Sequence, residues 1–131
     1  MEMLERLGVG YLAGCGINEI SGGERQMALI ARAMAQQAKI LIMDEPTANL
    51  DYGNQYRVLE TVRRLAEEGY TVLMSTHNPE YARRFAADVL ALKDGTVYAD
   101  GPSETTITPA LIEALYQIPA AVWEKDGRKE P

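Results

Sequence analysis

In 131 residues there is one cysteine, one tryptophan, one phenylalanine and one histidine. A lone Cys15 excludes an internal disulfide, so packing has to hold the fold, and a reduced, cytosolic setting agrees with that. Long apolar runs are missing too. Apolar stretches such as Ile40 to Met43 and Thr71 to Met74 fall far short of the ~20 residues that a bilayer-crossing helix needs. No basic segment followed by an apolar one opens the sequence, so no secretory leader is expected. Basic residues are in deficit: 13 Lys and Arg against 19 Asp and Glu leave a net charge of −6. That balance argues against a broad nucleic-acid footprint, yet it permits a phosphate site built from a few local donors. The pattern G-x-x-x-x-G-K-[ST] occurs nowhere. The one Gly-Gly pair, Gly22-Gly23, has no lysine after it, so that backbone cradle for nucleotide phosphates is not among these residues.

What is present is an ordinary globular balance, 47% apolar and 24% charged, with length enough for one modest core. Met1 to Gly8 reads as a short helical piece with Met3, Leu4 and Leu7 on one face, after which Gly8, Gly10, Gly14 and Gly16 interrupt any long helix. Ser21 to Gln36 reads as a helix opened by a capping box, Ser21 with Glu24, and striped by Met27, Ala28, Ile30, Ala31 and Met34. Lys39 to Met43 reads as a strand buried on both faces, because four apolar residues stand in a row. A helix after Asp51 turns Val58, Leu59, Val62 and Leu65 inward and is closed by Gly69. Tyr70 to Ser75 is the next buried strand, and a short helix starts near Pro79. Val89 to Leu92 and Thr96 to Ala99 flank Asp94-Gly95, a strong hairpin signal. Pro109 to Tyr116 supports a last helix, and the tail from Glu124 to Pro131 is expected to fray. The order implies an α/β fold: parallel strands flanked by helices, extended by an antiparallel C-terminal β-hairpin.

Three places carry chemistry. Asp44-Glu45 stands at the C-terminal end of a strand, where open α/β sheets bind ligands. Adjacent carboxylates there can divide labour, one holding Mg²⁺ and the next polarising a water, although a solvated strand end also explains them. Ser21-Gly22-Gly23 presents bare backbone N–H groups at a helix start, which suits a phosphate and equally suits an ordinary cap. His77 follows the end of its strand, within reach of a ligand on a neighbouring strand, and alone it reads equally well as structural.

Taken in order, the segments become specific. Ser21-Gly22-Gly23-Glu24-Arg25-Gln26, then Ile40-Leu41-Ile42-Met43-Asp44-Glu45-Pro46, then Ala48-Asn49-Leu50-Asp51, then Ser75-Thr76-His77 resemble the ABC ATPase family. They look like its signature motif, its Walker B strand with the following glutamate, its D-loop and its switch histidine. The resemblance spans roughly Leu4 to Tyr116 and implies a partial P-loop NTPase-like (ABC ATPase) fold. It divides the chain into 1–104, the C-terminal part of a nucleotide-binding domain, and 105–131, a terminal helix and tail. The same resemblance implies ATP and Mg²⁺ as cofactors of the complete protein. Asp44 would support the metal, Glu45 would be the catalytic base and His77 would contact the γ-phosphate. Ser21, Gly22 and Gly23, with Glu24 and Gln26 of the same motif, would face the ATP of an opposite subunit in a head-to-tail pair, and Asp51 would line the seam. One departure is Ala48, where many members have serine.

Softer similarities, in Ser75 to Pro79, Ala99 to Pro102 and Leu111 to Ile118, point to importer ATPases for metal chelates: iron–siderophore complexes, haem or cobalamin. Such a subunit would sit in the cytoplasm at the inner face of the plasma membrane, beside permease subunits, with no nucleic acid and no insertion into the bilayer. Without the phosphate-binding loop the chain reads as truncated and inactive by itself. Two other readings remain: a non-hydrolysing module that donates only its signature face, and a fragment of a DNA-repair or chromosome ATPase.

Overall fold

The computed structural model describes residues 1–126, with side chains described through Trp123. The chain divides into two compact units, Met1–His77 and Asn78–Pro131.

The first unit begins with α1 (Glu2–Arg6) and two 3₁₀ turns, Gly10–Gly14 and Ile17–Glu19, in the glycine-punctuated stretch where a long helix is not expected. Helix α2 (Gly22–Ala35) buries Gly23, Met27, Ile30, Ala31 and Met34, which recur on one face at the helical period. Helix α3 (Tyr52–Glu67) buries Val58, Leu59, Val62 and Leu65 on the same principle. Gly69, at φ +104°, supplies the left-handed turn that ends it. Strands β1 (Ile40–Met43) and β2 (Thr71–Met74) pair in parallel, with Ile40 opposite Thr71 and Met43 opposite Met74.

The two-sided burial expected for β1 is not what the structure shows. Leu41 is 4% exposed and joins the core with the partly buried Met43, Val72 and Met74. Ile40, Ile42 and Leu73 are 61%, 75% and 60% exposed on the other face. Only one face of this two-stranded sheet is covered, by the core that Met27, Ile30, Met34, Val58, Val62 and Leu65 build from the helices. An unbroken apolar run carries no period-two signal, so it cannot distinguish one covered face from two.

The second unit holds α4 (Pro79–Phe85), β3 (Asp88–Lys93), β4 (Thr96–Pro102), α5 (Ser103–Thr106), α6 (Pro109–Tyr116) and α7 (Ala120–Asp126). Asp94 and Gly95 take φ +50° and +74°, as a two-residue hairpin turn requires. Strands β3 and β4 pair with each other as an antiparallel sheet, with Asp88 opposite Pro102 and Lys93 opposite Thr96. Ile107, Ile112 and Trp123 form this unit's core, against which Ala82 and Val89 pack. The fraying expected from Glu124 is partly replaced by α7, which continues to Asp126 and is anchored through the buried Trp123; the remaining tail lies outside the described residues. Among the described residues no helix is long and apolar enough to cross a membrane.

Candidate functional site

All the singled-out residues lie in the first unit, and all but Gln26 belong to or adjoin two clusters of hydrogen bonds. The first is at the C-terminal ends of β1 and β2. Parallel pairing places Met43 beside Met74, so the residues that follow each strand emerge side by side. The Ser75 N–H donates to the Met43 carbonyl at 3.0 Å and continues the ladder by one bond. The Ser75 hydroxyl then donates to Asp44 Oδ1 at 2.6 Å, and the same oxygen accepts from the Glu45 N–H at 2.9 Å. Glu45 Oε1 and His77 Nε2 stand 2.6 Å apart, the imidazole almost wholly exposed and the carboxyl partly so.

Glu45 holds φ +44°, in the left-handed region that a residue with a Cβ seldom adopts. Its carbonyl accepts from the Ala48 N–H at 3.0 Å, which closes a turn over Pro46-Thr47. The chain reaches α3 through Asn49, also left-handed at φ +60°, a conformation asparagine tolerates well.

The second cluster is the start of α2. Ser21 caps the helix: its Oγ accepts from the Glu24 N–H at 3.1 Å, while its own N–H donates to Glu24 Oε1 at 3.0 Å. The capping box is therefore complete. The other carboxylate oxygen of Glu24 accepts a 2.6 Å bond from the Tyr11 hydroxyl. That bond, followed by the Ser21 N–H, holds the Glu24 carboxyl below its ordinary range and raises the Tyr11 phenol. With the Ser21 oxygen already accepting, the first-turn amides of Gly22 and Gly23 lie outside the intrahelical ladder and remain donors for an anion. Gln26 is half-buried on α2 and joins neither set of hydrogen bonds.

Asp51 connects this helix start to α3. Its Oδ1 accepts from the Asn54 N–H at 2.9 Å and caps α3, and its Oδ2 accepts from Asn54 Nδ2 at 2.7 Å. These bonds, the backbone one first, keep the Asp51 carboxyl below its usual range. The Asn54 side chain is thereby fixed against Gly23, where a Cβ would come within 2.8 Å of Asn54 Cγ and Oδ1. At Gly22 a Cβ would meet Leu50 Cδ2 at 3.0 Å. Close approach of Asn54 on α3 thus favours glycine at position 23, while at Gly22 the Leu50 methyl leaves less room for a side chain.

Three residues escape a sequence reading. Ser75 stands in a segment that draws attention for His77, but its bridging role depends on strand register. Asn54 carries a weak signal, since it lies three residues after a capping aspartate. Tyr11 carries none, because only the fold brings the 3₁₀ turn to Glu24.

No group of three or more His, Cys, Asp or Glu side chains is poised to hold a metal ion among the described residues. Asp44 alone, exposed and with Oδ2 not engaged by Ser75, fits a Mg²⁺ held mainly by phosphates and water. Such an ion takes only one or two protein carboxylates.

The sequence profile of the family described as ABC transporter matches residues 1–48. The iron(3+)-hydroxamate import ATP-binding protein FhuC of Bacillus subtilis is 39% identical over 120 residues, covering 91% of this chain and 45% of that protein. The cobalamin import ATP-binding protein BtuD of Halobacterium salinarum is 40% identical over 120 residues, covering 91% of this chain and 30% of that protein. Among solved structures, an ABC transporter in an inward-facing conformation superposes with a TM-score of 0.86 at 35% identity, covering 91% of this chain and 48% of that one. The chain spans less than half the length of each of these relatives. Over about nine-tenths of its length, then, the chain is similar in sequence and fold to part of an ABC transporter ATP-binding protein.

Proposed function

We propose that the chain supplies the water-activating half of an ATP-hydrolysis site, in the energy-coupling subunit of an importer for a metal chelate. One observation carries this reading: Asp44, Glu45, Ser75 and His77 converge at the ends of two parallel strands, with Glu45 and His77 in direct contact. In this reading the Glu45 carboxylate accepts a proton from water as that water attacks the γ-phosphorus, and ADP leaves. The imidazole of His77 holds the base and faces the γ-phosphate. Asp44 would support Mg²⁺, whose charge neutralises the phosphates. Ser21, Gly22 and Gly23, with Glu24 and Gln26 behind them, face the nucleotide of a second subunit, and Asp51 shapes the seam between the two. The partners are that second ATPase subunit and membrane-spanning permeases at the cytoplasmic face. Metal chelates are the cargo class: the import functions named for FhuC and BtuD support iron–siderophore complexes and cobalamin, and haem rests on the softer sequence similarities alone.

The test joins this chain to the amino-terminal part of FhuC and returns the chimaera to Bacillus subtilis lacking FhuC. ATP-dependent uptake of iron hydroxamate, abolished by Glu45→Gln, is the expected result. A stable, membrane-associated chimaera that neither hydrolyses ATP nor restores uptake contradicts the proposal.

A further inference from the structure

We propose that Ser75 is a positioning residue for the hydrolytic pair, a role that rests on reading Glu45 as the base. Its hydroxyl bonds to both carboxylate residues, to the side chain of one and the backbone of the next. It donates to Asp44 Oδ1 at 2.6 Å and accepts from the Glu45 N–H at 2.9 Å. Its own N–H is fixed to the Met43 carbonyl at 3.0 Å, so the backbone that carries the short serine side chain is held by the sheet ladder.

Glu45 needs such a tether because of its backbone. At φ +44° it sits in a sparsely populated region, and that conformation persists only where its surroundings hold it. The carbonyl is held by Ala48, the carboxylate touches His77, and the amide is held by Ser75 alone. Removing the hydroxyl releases one of three restraints and leaves the Glu45 carboxylate free to swing from the direction His77 sets. The bond to Asp44 has a second effect. It occupies Oδ1 and so selects which carboxylate oxygen faces outward. A hydroxyl at this position therefore sets the geometry of both acids without touching substrate.

Ser75→Ala removes both bonds, and Ser75→Thr keeps the hydroxyl at an exposed strand end that has room for a methyl group. Amide hydrogen exchange is measured in the 131-residue chain, and turnover in the FhuC chimaera with Glu45→Gln as the reference. Exchange at the Glu45 amide is expected to accelerate about tenfold in Ser75→Ala, the scale of one lost hydrogen bond. Turnover is expected to fall roughly ten- to a hundredfold, as a displaced catalytic group costs. KM for ATP should stay within about twofold, because the phosphate-binding loop of the FhuC part holds the phosphates and the Asp44 carboxylate itself is retained. Ser75→Thr should restore both readouts. Unchanged exchange and turnover in Ser75→Ala, beside an inactive Glu45→Gln, overturn the role of Ser75 alone; so does a loss that Ser75→Thr fails to restore. Wild-type turnover in Glu45→Gln overturns the base reading itself, and with it the functional part of this proposal.

Discussion

The Tyr11 hydroxyl and the Glu24 carboxylate form a side-chain bond that reaches the capping box of α2 from outside the helix. Its electrostatic sign is definite. The Glu24 carboxyl is held below its ordinary 4.5, chiefly by Tyr11 and next by the Ser21 N–H. A depressed carboxylate pKa contributes stability that is present above the unfolded value and is lost as pH falls through the folded one. The raised Tyr11 phenol contributes on the alkaline side, where its share is complete below the ordinary 10.0 and is lost as pH rises through the folded value. Tyr11→Phe should therefore lower the thermal midpoint at pH 7 and lose that effect as pH falls through the depressed Glu24 value, below which the carboxyl is protonated in both states. Scanning calorimetry of both proteins across pH 3 to 8 checks it; a difference that persists unchanged at pH 3 contradicts the electrostatic account. Ser21 with Glu24 is legible in sequence because a capping box is local. Tyr11 lies ten residues before Ser21, and nothing in their spacing announces the contact.

Helix starts, inward stripes and the hairpin turn follow from local rules, and for that reason α2, α3 and β3–β4 stand close to where the pattern puts them. What local rules miss is how closely elements approach. Gly23 reads in sequence as a donor of bare N–H groups, yet its lack of a Cβ also makes room for Asn54 on α3. Gly23→Ala should destabilise the chain by about 1–3 kcal/mol, the range for overpacking a filled site. Asn54→Ala removes the atoms at 2.8 Å and leaves only the Cβ at 3.1 Å. In the double variant the loss should fall below the sum of the single ones. Urea unfolding of the four proteins measures this, and strict additivity would refute the packing explanation. The same limit explains β1: Ile40-Leu41-Ile42-Met43 is visibly a strand, but which of its faces is covered depends on what packs there.

At the scale of the molecule two facts stand together: an apolar face at Ile40, Ile42 and Leu73, and no phosphate-binding loop within the 131 residues. Exposed apolar strands with open edges favour association. Light scattering should give a mass above the monomer that rises with concentration, and Ile42→Lys should shift it towards the monomer; a strict monomer at high concentration contradicts this. Titration calorimetry of the isolated chain with Mg-ATP should show no micromolar binding, since the residues that normally cradle the phosphates are missing from it. A clear micromolar dissociation constant would show that the chain holds phosphates by a route not described above. In the proposed mechanism Glu45 acts as the base. The most direct measurement is single-turnover hydrolysis by the FhuC chimaera carrying Glu45→Gln, alongside retention of bound ATP. Loss of the base should slow hydrolysis about 10²–10⁴-fold while ATP stays bound, whereas hydrolysis at the unsubstituted rate would show that Glu45 takes no proton from water.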